Sequence, residues 1–521
     1  MEKPDYILNF KKPKNTEIKH INGYWYLYER SNIYDPAIHR SRKKSGSILG
    51  KITEKGFIPS RKKQAVEKTL RNDVVEIGAC NYFLQISADI RASLEKHFPE
   101  IWQEIYVISI LRAIYDGRFK RLSAHYEDSI LSYIFPDVSL DKKSISLFLK
   151  TLGRKRNPIC AFMEENISDN DRFILFDGHR LLSSAKNMDN AETGYDSRHR
   201  YKPQINLIYL FSMGIDTGTP LYYKQFIGST PDVTAFEDIL NESHCYGRDC
   251  TVIADKGFAS DTDFGLLEDS SLNYIIPLKR GNKFVKGRVP PRPTDYDEAF
   301  SYNKRAVQSK TFEYEGYNIH LFLDADLMAK ELSDLTVRTE KKNMSVKKKK
   351  EAEEKKAANG KGKLTQEELD RMVSLTINDM FENKDEIGTI TIKTNNKSLN
   401  PFQVYSIYKQ RQNIEQFFKT YADTMEFEAS YMKDNYCEEA WLFLNHLSSI
   451  LSIRILEGIS SIGEEKNISY KDLVQTLVKI KSNIISETEW RIVPIKKSVQ
   501  KLCDKLEYNP SDFQSIMPQE N

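Results

Sequence analysis

The stretch RFILFDGH, residues 172–179, has the pattern of a buried strand that ends in a carboxylate and a turn: an apolar run leads into Asp177 and a glycine. A second stretch, TVIADKGF at 251–258, has the same form: its apolar run leads into Asp255, and a glycine follows at 257. Either aspartate alone is compatible with ordinary turn chemistry, because Asp beside Gly favours turns. Together, two carboxylates at strand ends match what a sheet edge needs to hold a hard cation such as Mg²⁺.

The region around both stretches, 171–280, alternates short apolar runs with amphipathic segments. This order predicts three strands, a helix, a strand, a helix and a strand, which is an α/β fold. A helical pattern precedes it over 72–170, with apolar residues three and four positions apart.

The region 281–400 interrupts the α/β pattern with a proline-rich segment, the strand-like YNIHLFLD and the lysine-rich KKNMSVKKKKEAEEKKAANGKGK. Because the lysine-rich stretch has few apolar residues to bury, we expect a frayed helix or a flexible loop there. The whole region has the character of an insertion.

The stretch YKQRQNIEQFFK, residues 408–419, has helical spacing and carries a charged pair beside an apolar stripe. On a wheel of about 100° per residue, Tyr408, Arg411 and Glu415 lie together next to that stripe. The stripe consists of Ile407, Ile414, Phe417, Phe418 and Tyr421. A helix packed on a sheet by its stripe can direct Glu415 at a metal and Arg411 at a phosphate, whereas the alternative is a surface Arg/Glu pair.

Bulk composition adds three expectations. The chain has 521 residues and a net charge of +3, so several domains are expected and charge alone indicates no partner. The segment 11–72 is basic with interleaved aromatic residues, which suits phosphate contacts by Arg42, Lys43 and Lys44; the alternative is a solvated hairpin with a charged face. No apolar run reaches the roughly 18 residues of a membrane span, and the first residues lack a secretion signal, so a cytoplasmic protein without membrane contact is expected.

Five segments in order resemble the transposases of bacterial insertion sequences that carry a DDE acid triad. Those segments are FDGH, GYDSRHRYKPQINLIYLFSMGIDTGTPLYYKQFIGSTPD, TVIADKGF, YIIPLKR and YKQRQNIEQFFK. Tyr408, Arg411 and Glu415 match the family signature Tyr-x2-Arg-x3-Glu, and the likeness covers roughly 171 to 455. The resemblance implies a ribonuclease H-like catalytic domain, interrupted before its last helix by a β-containing insertion. It also implies Asp177, Asp255 and Glu415 as ligands of two Mg²⁺ ions, for which Mn²⁺ is expected to substitute.

The activity implied by the resemblance is metal-dependent DNA transposition. The protein would cut double-stranded DNA at the element ends and join those ends to target DNA, as a homodimer when two ends are held together. Tyr408, Arg411, Lys419 and Lys256 are the implied DNA contacts near the triad. One departure concerns a lysine that the family places seven residues after the glutamate: Ala422 stands there, and Lys419 is the nearby cation on that helix.

Two other functions stay open from sequence. One is a ribonuclease H-like nuclease that cuts DNA without joining it, and the other is a non-catalytic DNA-binding relic, against which the three retained carboxylates argue. The predicted organisation has six parts: a basic strand-rich arm (1–71), a helical DNA-binding or oligomerisation domain (72–170), the first part of the catalytic core (171–280), the insertion with a flexible lysine-rich loop (281–400), the second part of the core (401–458) and a helical tail (459–521).

Overall fold

The fold is given by a computed structural model. The residues it describes are 3–21, 23–35, 40–60, 74–115, 118–168, 171–183, 185–195, 201–213, 218–245, 248–358, 386–411, 429–485 and 489–515.

The described strands, in chain order, are β1 (Thr16–Ile21), β2 (Tyr24–Asp35), β3 (Arg40–Thr53), β4 (Gly56–Pro59), β5 (Val74–Glu76), β6 (Phe173–Ser183), β7 (Glu192–Tyr195), β8 (Tyr201–Met213), β9 (Gly218–Ile227), β10 (Thr251–Ile253), β11 (Asn273–Pro277), β12 (Glu298–Tyr302), β13 (Arg305–Tyr314), β14 (Tyr317–Asp324), β15 (Thr389–Thr394), β16 (Ala429–Ser430), β17 (Lys481–Ile484) and β18 (Trp490–Ile492). The described helices are α1 (Asp5–Leu8), α2 (Gly78–Ile86), α3 (Ala88–His97), α4 (Trp102–Ile114), α5 (Phe119–Glu127), α6 (Leu131–Ile134), α7 (Lys142–Gly153), α8 (Arg156–Glu165), α9 (Asp232–Glu242), α10 (Asp261–Asp269), α11 (Ala325–Ala358), α12 (401–411), α13 (Asn435–Ser461), α14 (Tyr470–Leu477) and α15 (Lys497–Lys505).

The chain forms two compact units. Unit 1 comprises Met1–Phe162, Ala185–Met188 and Tyr421–Asn521, and unit 2 comprises Met163–Ser184 and Asp189–Thr420. The predicted second part of the catalytic core, 401–458, is therefore divided between the units, since only its first twenty residues belong to unit 2. The remaining boundaries of the six-part organisation stay predictions.

Unit 2 is built on a mixed sheet with the strand order β12-β13-β14-β15-β11-β10-β6-β8-β7, and β9 also pairs with β8. The strands β6, β10 and β11 run parallel, whereas β8 is antiparallel to β6 and β9 is antiparallel to β8. With α9 between β9 and β10, and α10 between β10 and β11, the predicted order of strands and helices over 171–280 is confirmed. The short strand β7 was not predicted.

The strands of the 281–400 region extend this same sheet. The strand β15 pairs antiparallel with β11 on one side and with β14 on the other, and β13 and β12 follow outward. The predicted strand YNIHLFLD is confirmed as β14. The insertion and the predicted core therefore share one continuous hydrogen-bonded layer.

The lysine-rich stretch is helical as far as Ala358, so of the two expectations the helix is observed and the flexible loop is wrong for that part; residues 359–363 lie outside the described residues. It forms the second half of the 34-residue helix α11. Lys, Glu and Ala have high helix propensity, and ion pairs at helical spacing add a little, as between Lys356 Nζ and Glu353 Oε1 at 2.6 Å. A lack of buried apolar residues therefore did not prevent helix formation.

In unit 1, β1 to β4 form an antiparallel sheet in sequence order. Alternation along β2 places Trp25 and Leu27 in a small core with Ile7 and Ile52. On the other face, Lys51 Nζ lies 3.4 Å from the centre of the Tyr24 ring. Gly50 of β3 is required by close packing, because a Cβ there would lie 2.3 Å from the Ile58 carbonyl oxygen.

The helices of unit 1 surround α13, which is buried along most of its length. This helix packs chiefly on α7 and α4, and Phe443 contacts Phe98 and Phe162 with ring centroids 5.4 and 5.5 Å apart. Among the described helices α13 is the one long and apolar enough to cross a membrane, but 78% of its most apolar window is buried inside the protein. An apolar helix with no polar face is expected at the centre of a helical core.

The last part of the chain is not wholly helical, which corrects the expectation for 459–521. The strands β17 and β18 pair with each other, and β17 also pairs with β5. In β17 the buried side chains are Ser482 and Ile484, two residues apart as the pleat requires. A four-residue strand of this composition gives too short a pattern to be recognised in sequence.

Candidate functional site

The two predicted aspartates are neighbours in unit 2. Asp255 follows β10 by two residues, as its pattern predicts. Asp177 instead lies within β6, which continues to Ser183 in pairing with β8, so the predicted strand end and turn at Asp177 are wrong. Ile253 is the register partner of Leu175, and each aspartate lies two residues further along its own strand. The backbone at Asp255 is still extended, with φ −78° and ψ 164°, so the register continues. Because alternate residues share a face and adjacent strands are about 4.8 Å apart, both carboxylates lie on one face of the sheet, side by side.

A cluster of three phenylalanines fixes the turn that carries Asp255. Phe176, next to Asp177, faces the opposite side of the sheet and meets Phe236 of α9 and Phe258, with ring centroids 4.6 and 4.7 Å apart and rings edge to face. Phe258 ends the short 3₁₀ turn that begins immediately after Asp255. Such aromatic contacts are worth about 1 kcal/mol each beyond the area they bury, so the position of Asp255 is determined by packing behind it.

Asp255 also meets a cation from α12. Arg411 Nη1 lies 3.1 Å from Asp255 Oδ1, and the same oxygen accepts a hydrogen bond from the backbone N–H of Lys256 at 2.6 Å. The Arg411 side chain is 15% exposed and that of Asp255 is 44% exposed, so the guanidinium is largely enclosed while the carboxylate stays open to solvent. The guanidinium carbon lies 5.8 Å from the centre of the Tyr408 ring. Tyr408, Arg411 and Asp255 are thus brought together.

A buried charge cluster, which the sequence did not predict, holds α12 to the strands of the insertion. Asp324 ends β14 and is 1% exposed; its Oδ2 accepts hydrogen bonds from the Tyr405 hydroxyl at 2.5 Å and from Arg305 Nη2 at 3.1 Å. Lys409 Nζ lies 3.6 Å from the same oxygen, and Lys409 is 6% exposed. The other oxygen accepts from the backbone N–H of Asp326 at 3.0 Å, at the start of α11. One carboxylate therefore joins β13, β14, α11 and α12.

The protonation of this cluster follows from burial and its charges. Burial by itself raises the pKa of Asp324, but the Tyr405 hydrogen bond and the Arg305 charge outweigh it, so the pKa lies below its ordinary value. Burial lowers the pKa of Lys409, and the nearby Asp324 charge opposes that shift. The pKa of Tyr405 is raised by burial and by its bond to Asp324. Asp324 is thus a carboxylate that accepts from a neutral Tyr405.

The buried face of α12 differs from the predicted stripe in its described part. Val404, Tyr405 and Lys409 are the buried side chains, whereas Ile407 is half-buried. One feature of the sequence does indicate Asp324: it follows the apolar run of YNIHLFLD, as Asp177 follows the apolar run of RFILFD. Nothing in the pattern linked Asp324 to a residue 81 positions away.

Some predicted residues cannot be placed at this site. Glu415 and Lys419 lie outside the described residues, as does the rest of the predicted stripe after Ile407. For Arg42, Lys43 and Lys44 only the backbone is described, in β3. Lys256 is exposed beside Asp255. The described part of the chain contains no group of three His, Cys, Asp or Glu side chains arranged for a metal, and the predicted set of three includes Glu415.

Comparison with known families gives one finding on this region. The family model described as Transposase DDE domain matches residues 170–451, which is more than half of the chain. The match includes Asp177 and Asp255, the 281–400 region and α12. No protein with a curated description matches the chain.

Proposed function

Because the chain belongs to the family of transposases with a DDE domain, we propose that it cuts the ends of an insertion element and joins them to target DNA. The observation that carries the proposal is the pair of neighbouring carboxylates, Asp177 and Asp255, on one face of the sheet. Glu415 is proposed as the third carboxylate, from the family signature it shares with Tyr408 and Arg411. The strand order β9-β8-β6-β10-β11, with its last three strands parallel, supports a ribonuclease H-like core.

The donor set fits Mg²⁺, since carboxylates are the ligands that this hard cation prefers. Asp177, Asp255 and Glu415 would hold two ions, and Mn²⁺ would substitute for Mg²⁺. When bound, the ions supply charge stabilisation for the phosphodiester and activate first water and then a 3′-hydroxyl. Asp177 and Asp255 hold their position without the ions, because strand register and the phenylalanine cluster set it.

Arg411 is proposed to hold the DNA phosphate beside the carboxylates. Its planar guanidinium can donate to two acceptors, so it can keep Asp255 while it meets a phosphate oxygen. The Tyr408 ring supports it from the preceding helical turn. Lys256, exposed next to Asp255, and Lys419 are proposed as further phosphate contacts. A homodimer is proposed for the complex that holds two element ends.

The proposal is tested by three isosteric changes. Asp177→Asn, Asp255→Asn and Glu415→Gln should each reduce cleavage of an element-end duplex to below a few per cent, because each removes one ligand charge. Binding of the same duplex, measured by fluorescence anisotropy, should persist. Asp261→Asn changes an aspartate of unit 2 that is 85% exposed, and it should leave cleavage unchanged.

Cation substitution and joining assays complete the test. Mg²⁺ and Mn²⁺ should support cleavage, whereas Ca²⁺ should allow binding without cutting. A pre-cut element end should become joined to a second duplex; cutting without joining would favour the nuclease alternative. Full cleavage by any one of the three variants would remove that residue from the site, and cleavage by all three would overturn the proposal.

A further inference from the structure

The long helix α11 is divided by charge. Its first half, 325–340, has four acidic and two basic residues, whereas 341–356 has eight lysines and three glutamates. A lysine favours the C-terminal end of a helix through the helix dipole, but only within the last turn. That effect accounts for Lys355 and Lys356 near Ala358, and it does not account for the lysines two to four turns earlier.

Six of these lysines lie on one face of α11. They form three pairs, each seven residues after the one before: Lys341 and Lys342, Lys348 and Lys349, Lys355 and Lys356. Seven residues are close to two helical turns, so the pairs repeat along a single stripe about 21 Å long. We call this set of six the lysine stripe.

The lysine stripe is exposed, with small residues along its centre. All six of its members are exposed. Lys356 pairs with Glu353 at 2.6 Å, and within the described chain the other five have no ion pair. Ser345 and Ala352 lie between successive pairs, and the residues that line a shallow open groove here are Lys341, Met344, Ser345, Lys348, Lys349 and Ala352. The small side chains leave room for the chain of a bound polymer to approach the helix between the lysine pairs.

We propose that the lysine stripe binds the phosphate backbone of duplex DNA without reading its sequence. The inference rests on the proposed function, because it takes DNA as the partner. Like charges along one face of a helix repel one another, so a stripe of six lysines costs the isolated protein stability. Phosphates remove that repulsion, and release of their counterions supplies binding energy. Lysine is a point charge on a flexible stem, which suits contacts that position DNA and carry no base information.

The experiment compares two double variants within one four-lysine run. Lys348→Gln with Lys349→Gln removes two charges from the stripe, and Lys347→Gln with Lys350→Gln removes two charges from the opposite side of the same turn. Gln and Lys have similar helix propensity, so circular dichroism should show the same helix content in both. The measured quantity is the slope of log K against log salt for a short duplex of arbitrary sequence.

The stripe variant should flatten this slope by between about 1 and 2 units, since each phosphate that is no longer neutralised removes about 0.9. The control variant should stay near the wild-type slope. Equal slopes for the two variants, whether both flattened or both unchanged, would overturn the stripe while leaving DNA binding by the protein intact. A wild-type chain that bound no duplex at all would overturn the proposed function as well.

Discussion

Arg411 and Lys409 are two residues apart in α12 and face opposite sides of that helix, because two residues turn an α-helix by about 200°. Each meets a carboxylate: Arg411 lies 3.1 Å from Asp255, and Lys409 lies 3.6 Å from Asp324. The helix is therefore held from both sides by charge pairs. Because both pairs position the same helix, a substitution of Asp324 is expected to change the position of Arg411, although Asp324 and Arg411 are in different charge pairs.

Glu438 in α13 is a buried carboxyl group whose pKa is shifted. Burial raises its pKa to about 7, the nearby Glu439 charge adds to the shift, and a hydrogen bond from the Ser430 hydroxyl opposes it. Because the pKa in the folded state lies above the ordinary 4.5, folding at a pH between 4.5 and about 7 takes up a proton. The stabilisation is complete below about pH 4.5 and is lost as the pH rises through 7.

Glu438→Gln should therefore stabilise the protein at pH 8 and change little at pH 5, because glutamine is neutral at both. The difference between the two pH values is at most on the order of 3 kcal/mol. Urea unfolding followed by tryptophan fluorescence measures it, since all four tryptophans belong to unit 1. Glu54→Gln, at an exposed position of unit 1, is the control and should change stability equally at both pH values. An equal effect of Glu438→Gln at both pH values would contradict the raised pKa.

At the scale of the element, α12 is positioned by the buried Asp324 cluster. Asp324→Asn removes the only carboxylate that Lys409 meets among the described residues, and it leaves the buried Lys409 against a neutral group, whereas Arg305, 28% exposed, keeps its pair with Asp326. Breaking a buried pair in this way costs about 3 kcal/mol. Amide hydrogen exchange over 401–411 should then be faster by about 100-fold, provided that α12 opens locally. Exchange followed by mass spectrometry suits this unit, which contains no tryptophan.

Asp326→Asn is the matched control for this prediction. Asp326 also pairs with Arg305, at 3.1 Å, but it is 41% exposed, and exposed pairs contribute less than about 1 kcal/mol. Amide hydrogen exchange over 401–411 in the Asp326→Asn variant should stay within several-fold of the wild-type rate. If Asp324→Asn left exchange in α12 unchanged, the cluster would not be what holds the helix.

The elements differ in how far sequence could predict them. The strands and helices of 171–280 follow from local apolar patterns, and the neighbouring positions of Asp177 and Asp255 follow from the parallel strands that carry them. The environment of α13 did not follow, because an apolar pattern shows that a helix is buried and does not show against what. The Asp324 cluster joins three consecutive elements, β13, β14 and α11, to α12, whose Tyr405 is 81 positions further along the chain, so a local pattern does not reveal its contacts.

At the scale of the whole molecule, two basic segments are predicted to meet DNA. One is the β3 segment of unit 1 with Arg40, Arg42, Lys43 and Lys44, and the other is the lysine stripe of unit 2. Neutralising the four β3 residues should flatten the salt slope by roughly one unit for each phosphate that the segment binds in the wild type. Combining this change with Lys348→Gln and Lys349→Gln should give the sum of the two effects, as for independent sites.

Salt titrations of the three variants with one duplex check this additivity. A β3 variant with an unchanged slope would return that segment to a solvated hairpin. A combined slope well short of the sum would mean that the two segments compete for the same stretch of DNA.

The division into two units could not be predicted from the sequence, because unit 1 combines chain segments from both ends of the protein with a short central piece.

The pairing of β15 with β11 has a consequence for any attempt to trim the protein. Removing 281–400 would leave β11 as an open edge, with the backbone groups of Ile275 and Ile276 and the C=O of Pro277 no longer covered by β15. Apolar edge strands of this kind recruit further strands and aggregate. The inserted region thus closes the side of the core sheet, and a fragment without it should be insoluble even where every residue of the proposed site is retained.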